Sequence, residues 1–219
     1  MRVLVVIISS YNNPVYRDHK EVWRTYMNSH PAIDAYFLEY HETKHRAIED
    51  NTLYLKGKES YCPGIRDKTL DCFEYIVNNT PDYDFIVRTN LSSLWNFTTL
   101  IDYISSLPTV GVYNGIRGIY NGVPFVSGSG FIMSKDVVQL LVRNRSLVTT
   151  NILDDVDIAI ALQNLGVAIT LGSRKDLGSV AAVDRYRYDK SIYHYRMKMD
   201  NEAERKEEPA LMIRVLSMF

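Results

Sequence analysis

The chain has 219 residues, 46% hydrophobic and 23% charged, a balance that suits one globular domain with a sizeable core and argues against both disorder and a membrane span. With 25 basic and 26 acidic residues the formal charge is −1, so no long-range attraction draws it to nucleic acid or anionic lipid, and a small polar ligand is the expected partner. The only cysteines, Cys62 and Cys72, make no disulfide framework and point to a reducing, cytoplasmic setting.

Val3 to Ile8 is an unbroken, β-branched apolar run, too short for a signal core or a membrane span. It predicts a first strand buried on both faces, stopping at Ser9-Ser10-Tyr11-Asn12. Val22, Trp23, Tyr26 and Met27 then recur at helical spacing after Pro14, until His30-Pro31 ends the helix. Ala35 to Leu38 is a second short strand. Residues 41 to 52 read as a polar loop that runs on through Gly57, Pro63 and Gly64, before Leu70, Phe73, Ile76 and Val77 set a helical stripe.

Phe85-Ile86-Val87 is the next buried strand, and Leu100, Ile101, Ile104 and Leu107 mark a helix after it. Strand-like stretches near Val110 to Tyr113 and Pro124 to Val126 flank a glycine-rich connection. A Ser127-Gly128-Ser129-Gly130 loop opens onto a helix from Lys135 to Arg143. Asp154 and Asp155 begin another helix, where the helix dipole favours acidic side chains, and Val167 to Leu171 is a further strand. The expected organisation is one domain over residues 1–200, then a charged linker and apolar C-terminal appendage over 201–219 that docks back or leads further.

Alternating strands and helices predict an α/β domain with a mainly parallel central sheet and helices on both faces. In such sheets ligands bind beyond the carboxyl ends of the strands. Three polar clusters fall at such ends: Ser9-Ser10-Tyr11, Thr89-Asn90-Leu91-Ser92, and the loop before Asp154-Asp155. The Asp82-Tyr83-Asp84 spacing suits a divalent cation, but it precedes its strand and belongs at the opposite end. At the ligand end stand Asn90-Leu91-Ser92, whose neutral oxygens bind Mg²⁺ or Mn²⁺ more weakly than carboxylates.

An Arg-and-Trp helix at 21–26, Ser60-Tyr61 leading to Lys68-Thr69, the triplet 90–92, the segment 127–134, Asp154-Asp155-Val156 and Tyr193-His194 follow one another in order. That order resembles the fringe and β-1,3-galactosyltransferase family, and also the glycosyltransferase domain of chlorella-virus capsid-glycosylating enzymes, over residues 1 to about 198. The resemblance implies a single Rossmann-like GT-A domain, a nucleotide-diphosphate sugar donor with UDP-sugar favoured, and Mn²⁺ or Mg²⁺. The acceptor it implies is a hydroxyl on a glycan or glycoprotein, a capsid protein in the viral case.

Carried over by position, Ser9 and Tyr11 would meet the base, Arg66 and Lys68 the ribose or donor sugar, and Gly128 to Gly130 the sugar. Thr89 and Asn90 would lie on the donor side, with Asn90, Ser92 and His194 at the metal and diphosphate. Arg196, with Lys68 and His194, would offset charge on the leaving diphosphate, and Asp155, with Asp154 beside it, would take the acceptor proton. The departure is the family's acidic triplet, replaced here by Asn90-Leu91-Ser92. That replacement leaves a second reading, a nucleotide- or sugar-binding module without catalysis. A dinucleotide-dependent oxidoreductase would need a Gly-x-Gly-x-x-Gly turn after the first strand, and residues 9–13 hold no glycine.

Overall fold

The computed structural model describes residues 1–11, 13–80, 82–149 and 152–219, so Asn12, Pro81 and part of the loop before Asp154 lie outside the described residues. In chain order its elements begin β1 (Val3–Ile8), α1 (Pro14–Arg24), β2 (Ile33–His41), β3 (Ala47–Glu49), β4 (Thr52–Lys56) and α2 (Gly64–Asn79). There follow β5 (Phe85–Asn90), β6 (Ser93–Trp95), α3 (Phe97–Ser105), β7 (Tyr113–Tyr120), β8 (Val123–Ser134) and α4 (Lys135–Arg143). The chain closes with α5 (Asp154–Asn164), β9 (Ile169–Leu171), β10 (Arg174–Asp176), α6 (Val180–Arg185), β11 (His194–Arg196) and α7 (Glu208–Leu216).

The central sheet has eight strands in the order β3-β4-β2-β1-β5-β8-β7-β9. Its middle, β4-β2-β1-β5, is parallel, while β8 runs antiparallel to β5 and to β7. β1 shows why its sequence is apolar throughout. Side chains alternate across a strand, so Val3, Val5 and Ile7 join Trp23 of α1, Leu100 of α3 and Met212 of α7 on one face. Leu4, Val6 and Ile8 join Phe73 of α2, Leu141 of α4 and Ile158 of α5 on the other. Each such large apolar side chain contributes about 1.5–3 kcal/mol by leaving water.

Two expectations change. The polar loop over 41–52 contains β3 and leads into β4, because Asp50 and Asn51 adopt positive φ angles of 48° and 56° and close a hairpin between them. Asn121 and Gly122, at 48° and 81°, do the same for β7 and β8. The serine-glycine segment 127–130 is consequently not a loop but the interior of β8, paired to β5 with Thr89 opposite Gly130. Of the two alternatives for the apolar C-terminal end, the structure has the docked one. A 3₁₀ turn over Glu202–Glu207 leads into α7, whose Leu211, Met212 and Val215 are buried in the same cluster as Trp23 of α1.

A second sheet, β10-β11-β6, sits beside the carboxyl end of β5 and sets Arg196 opposite Ser93. Among the described residues, no helix is long and apolar enough to cross a membrane.

Candidate active site

The carboxyl ends of β1 and β5 open into a polar cleft of about 600 Å³. Ser9 and Ser10 after β1, Lys68 of α2, Asn90 and Ser92 at the end of β5, Ser127 to Ser129 of β8, Asp154 and Asp155 of α5, and Arg196 all line it. Residues from six parts of the chain therefore converge where the topology places a ligand. Asp84, by contrast, accepts from the backbone N–H of Arg2 at 2.7 Å at the far end of the sheet, away from the cleft.

Lys68 is fully buried. Its ammonium donates to the Ser9 carbonyl at 2.6 Å and to both Glu59 carboxylate oxygens at 2.9 and 2.7 Å. Burial lowers its pKa against the pull of Glu59. Lys68 thus fixes the β1 end to α2 and arrives in the cleft already neutralised. Ser9 is likewise committed, donating to Glu39 at 2.8 Å.

Arg88 is a buried charge in the wall of the cleft. It lies within β5, 3% exposed, donating to the Gly128 carbonyl and forming an ion pair with Asp154. Asp155 pairs with no cation among the described residues; its Oδ2 accepts from the Gly128 N–H at 2.7 Å and its Oδ1 from the Val156 N–H at 3.0 Å. Burial, and then the neighbouring Asp154 carboxylate, raise the Asp155 pKa above the usual aspartate value. The two adjacent carboxylates therefore differ: Asp154 is paired with Arg88, whereas Asp155 is held by backbone N–H groups alone. A Cβ at Gly128 would lie 2.8 Å from Arg88 Nη1 and 3.1 Å from Asp155 Oδ2, so glycine there permits the close approach.

Not every expected residue reaches the cleft. Tyr11 is exposed beside His41, with ring centroids 5.5 Å apart. Arg66 pairs with Asp157 at 2.9 Å and with Asp67, holding α5 to α2. The Thr89 hydroxyl donates to the Ser129 carbonyl and accepts from Trp95 Nε1. Gly130 gives room to rings, since a Cβ there would stand 2.4 Å from Trp95 and 2.6 Å from His194. His194 stacks on Trp95 at 4.1 Å, its Nε2 lies 3.1 Å from Ser93 Oγ, and burial drives its pKa well below the usual value.

Other lining residues carry no mark in the sequence reading. Arg88 is legible in principle, because an arginine between Val87 and Thr89 of a buried strand needs a carboxylate partner. Tyr16 lines the cleft from α1 and Lys198 from the segment after β11, while Glu202 and Arg205 line it because the C-terminal stretch folds against α1, which no local pattern announces. There Glu208 accepts from Arg205 Nε at 3.1 Å and from the Met199 N–H at 2.9 Å. Its other oxygen lies 2.8 Å from His19 Nε2.

A glycosyltransferase involved in the glycosylation of the major capsid of PBCV-1 matches this architecture with a TM-score of 0.57, over 96% of this chain and 100% of its own, at 13% identity. The chain has a GT-A fold. The galactosyltransferase LgtC, in complex with donor and acceptor sugar analogs, gives 0.54 over 98% of this chain and 96% of its own, at 9% identity. The apo form of the glycosyltransferase GlyE in Streptococcus pneumoniae TIGR4 gives 0.51 over 99% of this chain and 64% of its own, at 10% identity. No protein-family model matches the sequence, and no curated protein does.

For a GT-A fold the resemblance implies a divalent cation, and the donors present do not fit one. Among the described residues, no three His, Cys, Asp or Glu side chains are grouped so as to hold a metal ion. Asn90 and Ser92 offer neutral oxygens, Asp154 is paired with Arg88, and His194 Nε2 faces Ser93. Among the described residues that line the cleft, Arg88 and Arg196 each carry a buried Nε without a hydrogen-bond partner; behind them Glu39 Oε2 is unpartnered too, its other oxygen accepting from Ser9.

Proposed function

We propose that this chain is a glycosyltransferase that moves a hexose or deoxyhexose from a nucleoside-diphosphate sugar, with UDP-sugar favoured, to a hydroxyl on a glycan or glycoprotein. The observation that carries the reading is the division of labour between Asp154 and Asp155 at the mouth of a polar cleft in a GT-A fold. The acceptor oxygen attacks the anomeric carbon as the bond from that carbon to the diphosphate oxygen breaks. Asp155 takes the hydroxyl proton, and the electron pair of the broken bond leaves on the diphosphate. A single base of this kind fits inversion of configuration. General-base catalysis is worth roughly 10²–10⁴ in rate. Arg88 keeps Asp154 neutralised and holds β8 through the Gly128 carbonyl, which fixes the position of the base.

A glycoprotein acceptor is in keeping with the capsid role named for the first of the similar structures. The test is a thermal-shift screen of nucleotides and nucleotide sugars on the intact chain. Ligand a hundredfold above its dissociation constant stabilises by about 2.7 kcal/mol. Stabilisation by uridine diphosphate compounds supports the reading. A response confined to guanosine compounds would overturn the UDP preference, and no response to any nucleotide would overturn the donor class.

A further inference from the structure

We propose that the diphosphate of the donor is held by Arg196 and Lys198, in place of a protein-bound divalent cation. This rests on the reading above that the cleft takes a nucleoside-diphosphate sugar.

The argument is one of unbalanced charge. Three of the cleft's basic side chains are each matched by a carboxylate: Lys68 by Glu59, Arg88 by Asp154, and Arg205 by Glu208. Arg196 and Lys198 also line the cleft, and among the described residues neither has a carboxylate within salt-bridge reach. Asp176, the register partner of Arg196 on β10, is turned to Arg174 at 2.7 Å instead. Arg196 Nε is buried without any hydrogen-bond partner, which is costly unless a ligand supplies the acceptor.

Spacing completes the site. Met197 between the two is wholly buried in the core cluster, so alternation along the extended chain sends Arg196 and Lys198 to the cleft side together. The Met197 N–H donates to the Ser92 carbonyl at 2.7 Å, tying this pair to the end of β5, where the acidic triplet of the similar family would stand. A guanidinium fork and an ammonium supply two positive charges for two phosphates. They sit where negative charge grows as the anomeric bond breaks, and so stabilise the transition state more than the bound donor.

Calorimetric titration of the intact chain with UDP and with GDP, once in EDTA and once in Mn²⁺, tests the proposal, with uridine as the control that lacks phosphate. The expected result is a diphosphate Kd in EDTA within about threefold of that in Mn²⁺, and an increase of about tenfold or more for Arg196→Gln and for Lys198→Gln. Uridine binding should not change, and Arg196→Lys should retain part of the diphosphate affinity. Lys198 is exposed, so its variant keeps the fold even if the Arg196 variants lose melting temperature. Binding of a diphosphate only in Mn²⁺, or an unchanged Kd in both glutamine variants, would overturn this proposal and leave the donor reading intact. Binding of no diphosphate in either condition would overturn both.

Discussion

The backbone N–H of Gly128 on β8 donates to Asp155 Oδ2 at 2.7 Å, and so fixes the proposed base against the strand that borders the donor cleft. Burial first, and the Asp154 carboxylate second, raise the pKa of Asp155. A base works only when ionised, so activity should be full above the raised value and fall as pH drops through it. The acid limb of kcat/KM should therefore lie above the ordinary aspartate value of 3.8. Asp154→Asn removes one of the raising charges, and the limb should move to lower pH. A limb that stays in place in that variant would remove Asp155 from the role.

Gly128 and Gly130 lie two residues apart and should respond differently to substitution. Gly130→Ala would press a methyl against Trp95 and His194, and overpacking of this kind costs about 1–3 kcal/mol, read as a lower urea midpoint. Gly128→Ala meets Arg88 and Asp155 instead, so its main effect should be on kcat. Equal losses of stability with no difference in turnover would contradict the assignment of Gly128 to the site and Gly130 to the core.

Much of this arrangement is legible in the chain. The uniform apolar run of β1, the acidic start of α5 and the polar ends of β1 and β5 place the crevice, because strand burial and helix dipoles act locally. The hairpin between β7 and β8 is also local in cause, since Asn121-Gly122 is a strong turn signal. It was obscured by serines and glycines that look like loop residues yet lie in a strand where rings and a guanidinium approach the backbone. Arg205 and Lys198 could not be placed. The position of Arg205 depends on α7 docking on α1, a contact between residues such as His19 and Glu208, 189 positions apart, and that of Lys198 on Met197 reaching the Ser92 carbonyl.

That docking contact has its own pH dependence. His19 and Glu208 are wholly buried, and both ring nitrogens of His19 face oxygens, Val15 O at 2.8 Å and Glu208 Oε2 at 2.8 Å. Burial pushes the Glu208 pKa up, but hydrogen bonds from His19, the Met199 amide and Arg205 hold it below the usual value of 4.5. Its folded value is depressed, so its contribution to stability is complete above 4.5 and is lost as pH falls through the lower folded value. Glu208→Gln should flatten that acid transition in urea unfolding followed against pH.

His19→Ala breaks the same pair and leaves a buried carboxylate short of a donor. The expected loss is about 3–5 kcal/mol in urea unfolding. A loss below about 1 kcal/mol would mean that α7 is held by its apolar face alone.

The central claim is glycosyl transfer with Asp155 as base, and the most direct measurement is release of nucleoside diphosphate from a panel of nucleotide sugars by the wild type and by Asp155→Asn. The account predicts turnover of at least one donor, a fall of roughly 10²–10⁴ in kcat for the variant, and nucleotide affinity and melting temperature that are retained. Tight nucleotide binding with no turnover of any donor, or a variant as active as the wild type, would contradict it.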